Sequence, residues 1–520
     1  MDNHISPHFE ITCLVNMDLT VILVSVAVVC MVVHLVQNLV TSRRFPGGPW
    51  GYPIVGYLPW LGPHPQITFT NLREKYGDIY SVKLGQWTAV VVNGLDNLRH
   101  VLGENTESTS SRPPFYSFQF NMKDRGPGLG FCQYNSRYLT MRKSTMDCVR
   151  RVLRKEAGDV HQTALQDAKA LAACLLGLNG VPSDIYSPVS LHVGSFIYET
   201  GYGMQGTIYE DEDFMQYRKY FRDFLEFQGH DNIVNLLPWT RFFMRKKMAR
   251  FHHTMSLWHR VDARAKKKHL DTFDESHLRD ALDLMISKTR SMTSEVKAAV
   301  GVTDDDILNC IEELVGAGSD TLPTYMRWGF LFLALNPDAQ ESLYQEIVDH
   351  FGTDGVPQHD QLPKMPYTEA TLTEINRLAS IIPLCLPHYT TKSVKIQQYV
   401  IPENTMVIPN LHSANMDESF WDEPKKFRPE RFLDSHNGLK RNLVGKVISF
   451  GIGKRSCPLE ALARYVTFVF LVVLIQRCRF ETVPGEHYDM RGSYGLSVWP
   501  TPHRLIITPR GSCSRQSQPL

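Results

Sequence analysis

Phe450-Gly451-Ile452-Gly453-Lys454-Arg455-Ser456-Cys457-Pro458 runs directly into 458–478, a strongly apolar stretch that reads as a helix. Gly451 and Gly453 let the backbone turn sharply and pass close to a flat partner. Pro458 suits the first turn of a helix and adds no competing donor. A thiolate, not a thiol, is the ligand or nucleophile, and Lys454, Arg455 and the N-terminus of the coming helix all favour the charged sulfur. Read alone, the string also fits a buried structural cysteine beside a tight turn. Its neighbours along the chain decide between the two.

The stretch resembles the haem-ligand signature of the cytochrome P450 family, Phe-x-x-Gly-x-Arg-x-Cys-x-Gly, matched here at Phe450, Gly453, Arg455 and Cys457. Three further matches stand in the right order. Glu374-Ile-Asn-Arg377 sets a carboxylate and a guanidinium at i, i+3 on one helix face. Pro424-Lys-Lys-Phe427-Arg-Pro429-Glu430-Arg431-Phe432 resembles the downstream segment that supplies a third member, Arg431, so the resemblance implies a structural Glu374–Arg377–Arg431 triad. Ala317-Gly318-Ser319-Asp320-Thr321 lies in a helix that Thr303 can cap and that Ile307, Ile311 and Val315 stripe. Gly316, Gly318 and Pro323 weaken regular hydrogen bonding there, and a local opening is expected to free the Thr321 hydroxyl. In the family this element crosses the distal haem face, which implies proton-relaying roles for Asp320 and Thr321. Two propionates in a closed pocket need cationic or polar partners, and the resemblance proposes Arg112, Arg142, His388 and Arg455.

The pattern breaks at three positions. Leu459 stands where the signature has its final glycine and is expected to crowd the ring. Tyr138 replaces the usual helix tryptophan, and Tyr389 a residue that is often arginine. Together they imply thinner propionate anchoring.

The flanks and composition set the organisation. Leu19 to Val36 is nearly continuous apolar sequence, about long enough to span a bilayer. No Lys or Arg precedes it while Arg43 and Arg44 follow, which predicts a retained anchor with a lumenal N-terminus. The expected order is a lumenal 1–18, a transmembrane 19–36, a basic and Pro/Gly-rich hinge 37–53, a catalytic domain 54–510 and a disordered tail 511–520. Tyr80 to Gly94 reads as a hairpin, and another is expected over 494–508. Long helical patterns occupy 147–178, 211–228, 255–289, 304–350 and 457–478. The fold expected is mainly α with a smaller β-rich region, the cytochrome P450 fold, preceded by one transmembrane helix. Among 520 residues, 43% are hydrophobic, and 55 Lys+Arg nearly balance 54 Asp+Glu, so no global basic field favours a nucleic-acid partner. Ten cysteines without a CxxC pair indicate neither a disulfide framework nor a zinc module. Leu236 to Lys247 mixes bulky apolar residues with cations and reads equally as a segment dipping into headgroups or as a basic turn.

The resemblance is to animal microsomal members that oxidise aromatic hydrocarbons or steroids. It implies a monooxygenase with haem b, Cys457 as the axial iron ligand, and an apolar substrate facing Phe115, Phe118, Phe120, Phe227, Ala317 and 381–386. No GxGxxG follows a strand and opens a helix, so NADPH acts indirectly, through an NADPH-cytochrome P450 reductase with cytochrome b5 as an optional second donor. Arg142, Lys143, Lys446 and Lys454 offer that reductase a basic face. The implied location is the endoplasmic reticulum membrane, single-pass, with the catalytic domain cytosolic. Two alternatives keep the haem: a reductase-independent isomerase or dehydratase, and a catalytically weak haem- or sterol-binding membrane protein. A hydrolase is disfavoured by the lack of a GxSxG elbow.

Overall fold

The computed structural model describes residues 45–49, 51–117, 128–203, 211–228, 233–358 and 360–511, with scattered positions between 20 and 36. The expected lumenal segment, most of the hinge and nearly all of the tail lie outside these residues, as do Phe118, Phe120 and the side chain of Phe227. The described positions from Thr20 to Val36 are helical and exposed. Among the described residues no helix is long and apolar enough to cross a membrane.

Helices dominate: α1 (Pro65–Tyr76), α2 (Ser136–Leu153), α3 (Val160–Leu176), α4 (Tyr186–Tyr202), α5 (Glu212–Gln228), α6 (Arg245–Asp271), α7 (Ala281–Arg290), α8 (Asp304–Leu335), α9 (Pro337–Phe351), α10 (Pro366–Ala379) and α11 (Glu460–Arg477). Several long helical patterns in the sequence prove to be pairs. The 304–350 pattern breaks at Asn336-Pro337, where proline cannot donate and opens α9 instead. The 255–289 pattern breaks between α6 and α7, which restarts under an Asp280 cap accepting from the Leu282 and Asp283 amides.

Strands β1 (Ile79–Leu84) and β2 (Trp87–Val92) form the expected hairpin around Gly85-Gln86, in register from Ile79↔Val92 to Leu84↔Trp87. With β3 (His388–Tyr389) and β6 (Met406–Pro409) they make a sheet of order β1-β2-β6-β3, β2 and β6 being parallel. The short β4 (Val394–Ile396) and β5 (Tyr399–Ile401) pair with each other. The expected 494–508 hairpin is corrected: β8 (Ser493–Tyr494) pairs with β9 (Val498–Trp499), whereas β10 (Leu505–Pro509) pairs with β7 (Cys478–Thr482). The bulky Leu505 and Ile507 of β10 bury against the helical core, which the strand reaches only beside β7.

Helix α8 is the spine. Thr303 and Asp306 form a reciprocal capping box at its start, and its C-terminal half is buried on nearly every side. It packs against α4, α7 and α10, and its middle turns line a cavity.

Candidate active site

The cysteine loop is fixed by its backbone. The Cys457 amide donates to the Phe450 carbonyl at 2.8 Å, and that of Ser456 to the Gly453 carbonyl at 3.2 Å. Gly453 has φ of +74°, and a Cβ there would stand 1.8 Å from the Leu102 carbonyl oxygen, so only glycine fits. Phe450 receives the Arg464 guanidinium over its ring at 5.4 Å.

Two expectations about the sulfur are corrected. Helix α11 begins at Glu460, with Leu459 as its cap, so Pro458 precedes the helix. The thiol is not acidified by its surroundings. Burial pushes it up to about 11; the Leu459 backbone amide and Arg142 act the other way, and Glu460 adds to the rise. Lys454 and Arg455 do not contribute, because Arg455 turns away to donate to the carbonyls of Ser110 (2.7 Å), Leu129 (2.9 Å) and Cys132. A bound metal ion would itself displace the proton.

One cavity of about 410 Å³ is walled by Cys457, Phe450, Arg455, Arg112, Arg142, His388, Asp320 and Thr321 together. Glu374, Arg377 and Arg431 are not among its walls. They form a separate buried triad: Arg377 donates from Nε and Nη2 to Glu374 at 2.7 and 2.8 Å, and Arg431 Nε at 3.0 Å. Arg377 also donates to the Asn415 and Pro424 carbonyls at 2.8 Å each, tying α10 to the 415–431 segment that leads toward the cysteine loop.

Arg112, Arg142 and Arg455 form a cationic rim on this cavity. Arg112, 4% exposed, donates to the carbonyls of Gly130 (3.0 Å), Leu386 (2.9 Å) and Pro387 (3.0 Å). Arg142 donates to the Ser456 carbonyl at 2.8 Å and its hydroxyl at 3.0 Å. Among the described residues no carboxylate pairs with Arg112, Arg142 or Arg455. Burial, then the neighbouring Arg455, pull Arg112 down to about 9. His388 meets the Thr109 carbonyl through Nδ1 at 2.8 Å, and burial with Arg112 and Arg455 drives it well below the ordinary imidazole range, so it is neutral. A buried guanidinium without a carboxylate partner is costly, and Arg112 is one, with half-buried Arg142 and Arg455 beside it. This rim therefore suits a dianion, and a flat group with two carboxylates, seated between a sulfur and a wall of small residues, fits the donor set.

Tyr138 ties helix α2 to the cysteine loop. Its hydroxyl donates to the Lys454 carbonyl, and its ring lies 3.7 Å from the Arg455 guanidinium carbon. Leu459 lines the cavity while packing partly against the core. Tyr389 stacks edge-on against Trp87.

On the opposite wall, α8 runs without interruption. Pro323 removes the amide that would serve the Ser319 carbonyl. The Thr321 and Ser319 hydroxyls bond back to the carbonyls of Ala317 (2.9 Å) and Val315 (2.6 Å), so the expected opening is absent and the Thr321 proton is held at Ala317. Asp320 accepts from Ser497 Oγ at 2.5 Å and Trp499 Nε1 at 2.8 Å. Burial raises its pKa against these two donors. Sequence reading missed both partners, which stand 177 and 179 residues away, and it missed Glu313, a cavity-lining acid one turn before Ala317. The i, i+4, i+8 spacing of Glu313, Ala317 and Thr321 was the available signal for the last.

A thiol loop, a carboxylate-accepting rim and a small-residue helix around one apolar cavity define a haem-thiolate enzyme. The cytochrome P450 family model matches residues 46–507, and the chain belongs to that family. It is a P450 monooxygenase acting on hydrophobic substrates. It is similar to cytochrome P450 1A1 of Opsanus tau (31% identical, covering 92% of this chain and 93% of the relative), of Cavia porcellus (29%; 92% and 94%) and of Homo sapiens (27%; 93% and 96%).

Proposed function

We propose that this chain is a membrane-anchored monooxygenase that takes electrons from NADPH through a separate reductase and inserts one oxygen atom of O2 into a flat or steroid-like molecule. The observation that carries this reading is the coincidence, around one cavity, of the Cys457 sulfur, three arginines (Arg112 buried, Arg142 and Arg455 half-buried) that have no carboxylate partner among the described residues, and the Ala317–Thr321 wall. Haem b, when bound, supplies oxygen activation, which a thiolate ligand favours by donating electron density. Cys457 would hold the iron. Arg112, Arg142, Arg455 and neutral His388 would hold the propionates. Thr321 holds a hydroxyl proton at the distal wall and Asp320 a buried carboxyl beside it, and these are the proton-delivering groups of this reading.

Membrane association has support beyond the N-terminal apolar run. Trp239 (49% exposed), Phe242 and Phe243 (82%) stand out beside Arg241, Arg245, Lys246 and Lys247. Tyr52, Ile54 and Trp60 are exposed as well. Both patches are tied to the β1–β2 turn, one by the Gln86 amide on the Leu236 carbonyl (2.9 Å), the other by the Tyr57 amide on the Lys83 carbonyl (2.7 Å). Exposed aromatic and apolar side chains next to cations suit a headgroup layer. This favours the headgroup reading of 236–247; the location proposed is the endoplasmic reticulum membrane with the catalytic domain cytosolic.

Turnover of a lipophilic panel, with and without NADPH and reductase, aerobically and anaerobically, tests the proposal. Product that depends on oxygen and reductase is expected. One observation favours the rearranging alternative: Asp320 is occupied by Ser497 and Trp499 instead of Thr321. Anaerobic, reductase-free product would select it.

A further inference from the structure

Asp320 is held from the β8–β9 hairpin, and that hairpin is itself fixed on two sides. Ser497 Oγ donates to Asp320 Oδ2 at 2.5 Å, and Trp499 Nε1 to Oδ1 at 2.8 Å. The Val498 amide donates to the Ile381 carbonyl at 2.8 Å, and the Trp328 indole, from α8, to the Val498 carbonyl at 2.9 Å. Across the tip, the Gly495 amide donates to the Ser497 carbonyl at 2.8 Å. A Cβ on Gly495 would stand 2.6 Å from the Trp499 ring, so the missing side chain lets the indole lie over the turn with Nε1 on Asp320. Leu496 and Ile381 line the cavity along with Asp320, which makes the hairpin part of the wall.

The two donors are not equivalent. An indole N–H only donates, whereas a hydroxyl donates or accepts. Ser497 therefore serves both states of the acid: it donates to the carboxylate, and it accepts from Oδ2–H once the acid is protonated. Trp499 cannot reverse. It favours the charged form, and in the neutral form it favours Oδ1 as the carbonyl oxygen, the better acceptor of the two. Burial raises the pKa of Asp320, and Ser497, Trp499 and then Arg327 oppose the rise. Arg327, seven residues further along α8, is the charged group that acts on the acid among the described residues, and its guanidinium lies over the Tyr186 ring at 4.7 Å.

We propose that Ser497 and Trp499 are positioning residues for proton delivery at the distal wall: Trp499 keeps Asp320 Oδ1 an acceptor, so the carboxyl proton is carried on Oδ2, against Ser497 Oγ. The inference deepens the monooxygenase reading and rests on it, since that reading makes Asp320 a proton-delivering group. The proton thus leaves or enters Asp320 on its hairpin side, next to the Ser497 hydroxyl, while the Thr321 hydroxyl stays bonded to the Ala317 carbonyl at 2.9 Å.

The test is an infrared pH titration of full-length, haem-loaded protein, with the Asp320 carboxyl band identified by its loss in Asp320→Asn. Trp499→Phe removes a donor that serves only the charged form, so the band should titrate about one pH unit higher than in wild type. Ser497→Ala removes a partner of both forms and should move it upward by less. Gly495→Ala, whose methyl displaces the indole without changing any charge, should move it in the same direction as Trp499→Phe and serves if that variant fails to fold. The pH profile of reductase-supported turnover should shift with the band in Trp499→Phe. An unmoved band in Trp499→Phe or Gly495→Ala, a larger shift in Ser497→Ala than in Trp499→Phe, or a turnover profile that ignores the band overturns the inference. Failure of the monooxygenase reading shows separately, as wild-type protein that forms no oxygen- and reductase-dependent product whatever the band does.

Discussion

Replacing Glu374 by glutamine removes the single negative charge that serves two buried guanidinium groups. Glu374 and Arg377 side chains are 0% exposed and Arg431 4%, so water cannot take over. The carboxylate accepts four hydrogen bonds: two from Arg377, one from Arg431 Nε and one from the Arg428 amide at 2.9 Å. Removing one partner of a buried pair costs about 3–5 kcal/mol. Glutamine keeps one acceptor oxygen, which places Glu374→Gln near the lower end and Glu374→Ala near the upper. With an unfolding entropy of about 2.1 cal/mol/K per residue over roughly 460 residues, each kcal/mol lowers Tm by about 1 °C. Thermal unfolding followed by near-ultraviolet circular dichroism should therefore show losses of about 3 °C and about 5 °C, with haem released in the same transition. A Glu374→Gln protein melting within 1 °C of wild type, about a third of the smaller expected loss, would refute the argument that this triad braces the segment leading to the cysteine loop.

Three other outcomes are expected. His269 meets the Ala265 carbonyl through Nδ1 (2.8 Å) and Asp280 through Nε2 (2.7 Å), two acceptors that both ring nitrogens can serve only when protonated. Burial opposes the charge, but Asp280, the Ala265 carbonyl and Asp283 overcome it and raise the pKa. The pair thus stabilises fully below about pH 6.5 and loses its contribution as pH rises through the folded value. The Tm gap between wild type and His269→Gln should be widest in acid and narrow toward alkaline pH; a gap independent of pH would contradict this. Asp320→Asn replaces one acceptor by a donor facing Ser497 or Trp499, so a loss of about 1–3 kcal/mol and altered Trp499 fluorescence are expected, and unchanged values would show that the acid does not anchor the β8–β9 turn. Leu459→Gly should slow haem transfer to an apo-acceptor while costing stability through lost packing; faster transfer would show that the leucine supports the ring.

How much was legible depended on range in sequence. The Gly451–Cys457 loop, the Glu374–Arg377 spacing and the Thr303 cap are local, and each stands in the structure where its residues placed it. What was not legible is non-local. Nothing within ten residues of Asp320 announces Ser497 and Trp499, and nothing near Arg455 announces the carbonyls of 110, 129 and 132. The lowered thiol pKa expected from nearby cations failed for the same reason: sequence neighbours are not spatial neighbours, and burial outweighed them. The 494–508 hairpin failed because β10 buries its apolar face against the helical core beside β7.

The central claim is that Cys457 holds the iron of a haem. The reduced, carbon-monoxide-bound absorption spectrum of wild-type protein, set against Cys457→Ala, tests it most directly. The account expects the red-shifted Soret band of thiolate ligation in the first and its loss in the second. The same band in both, or in neither despite bound haem, would contradict it.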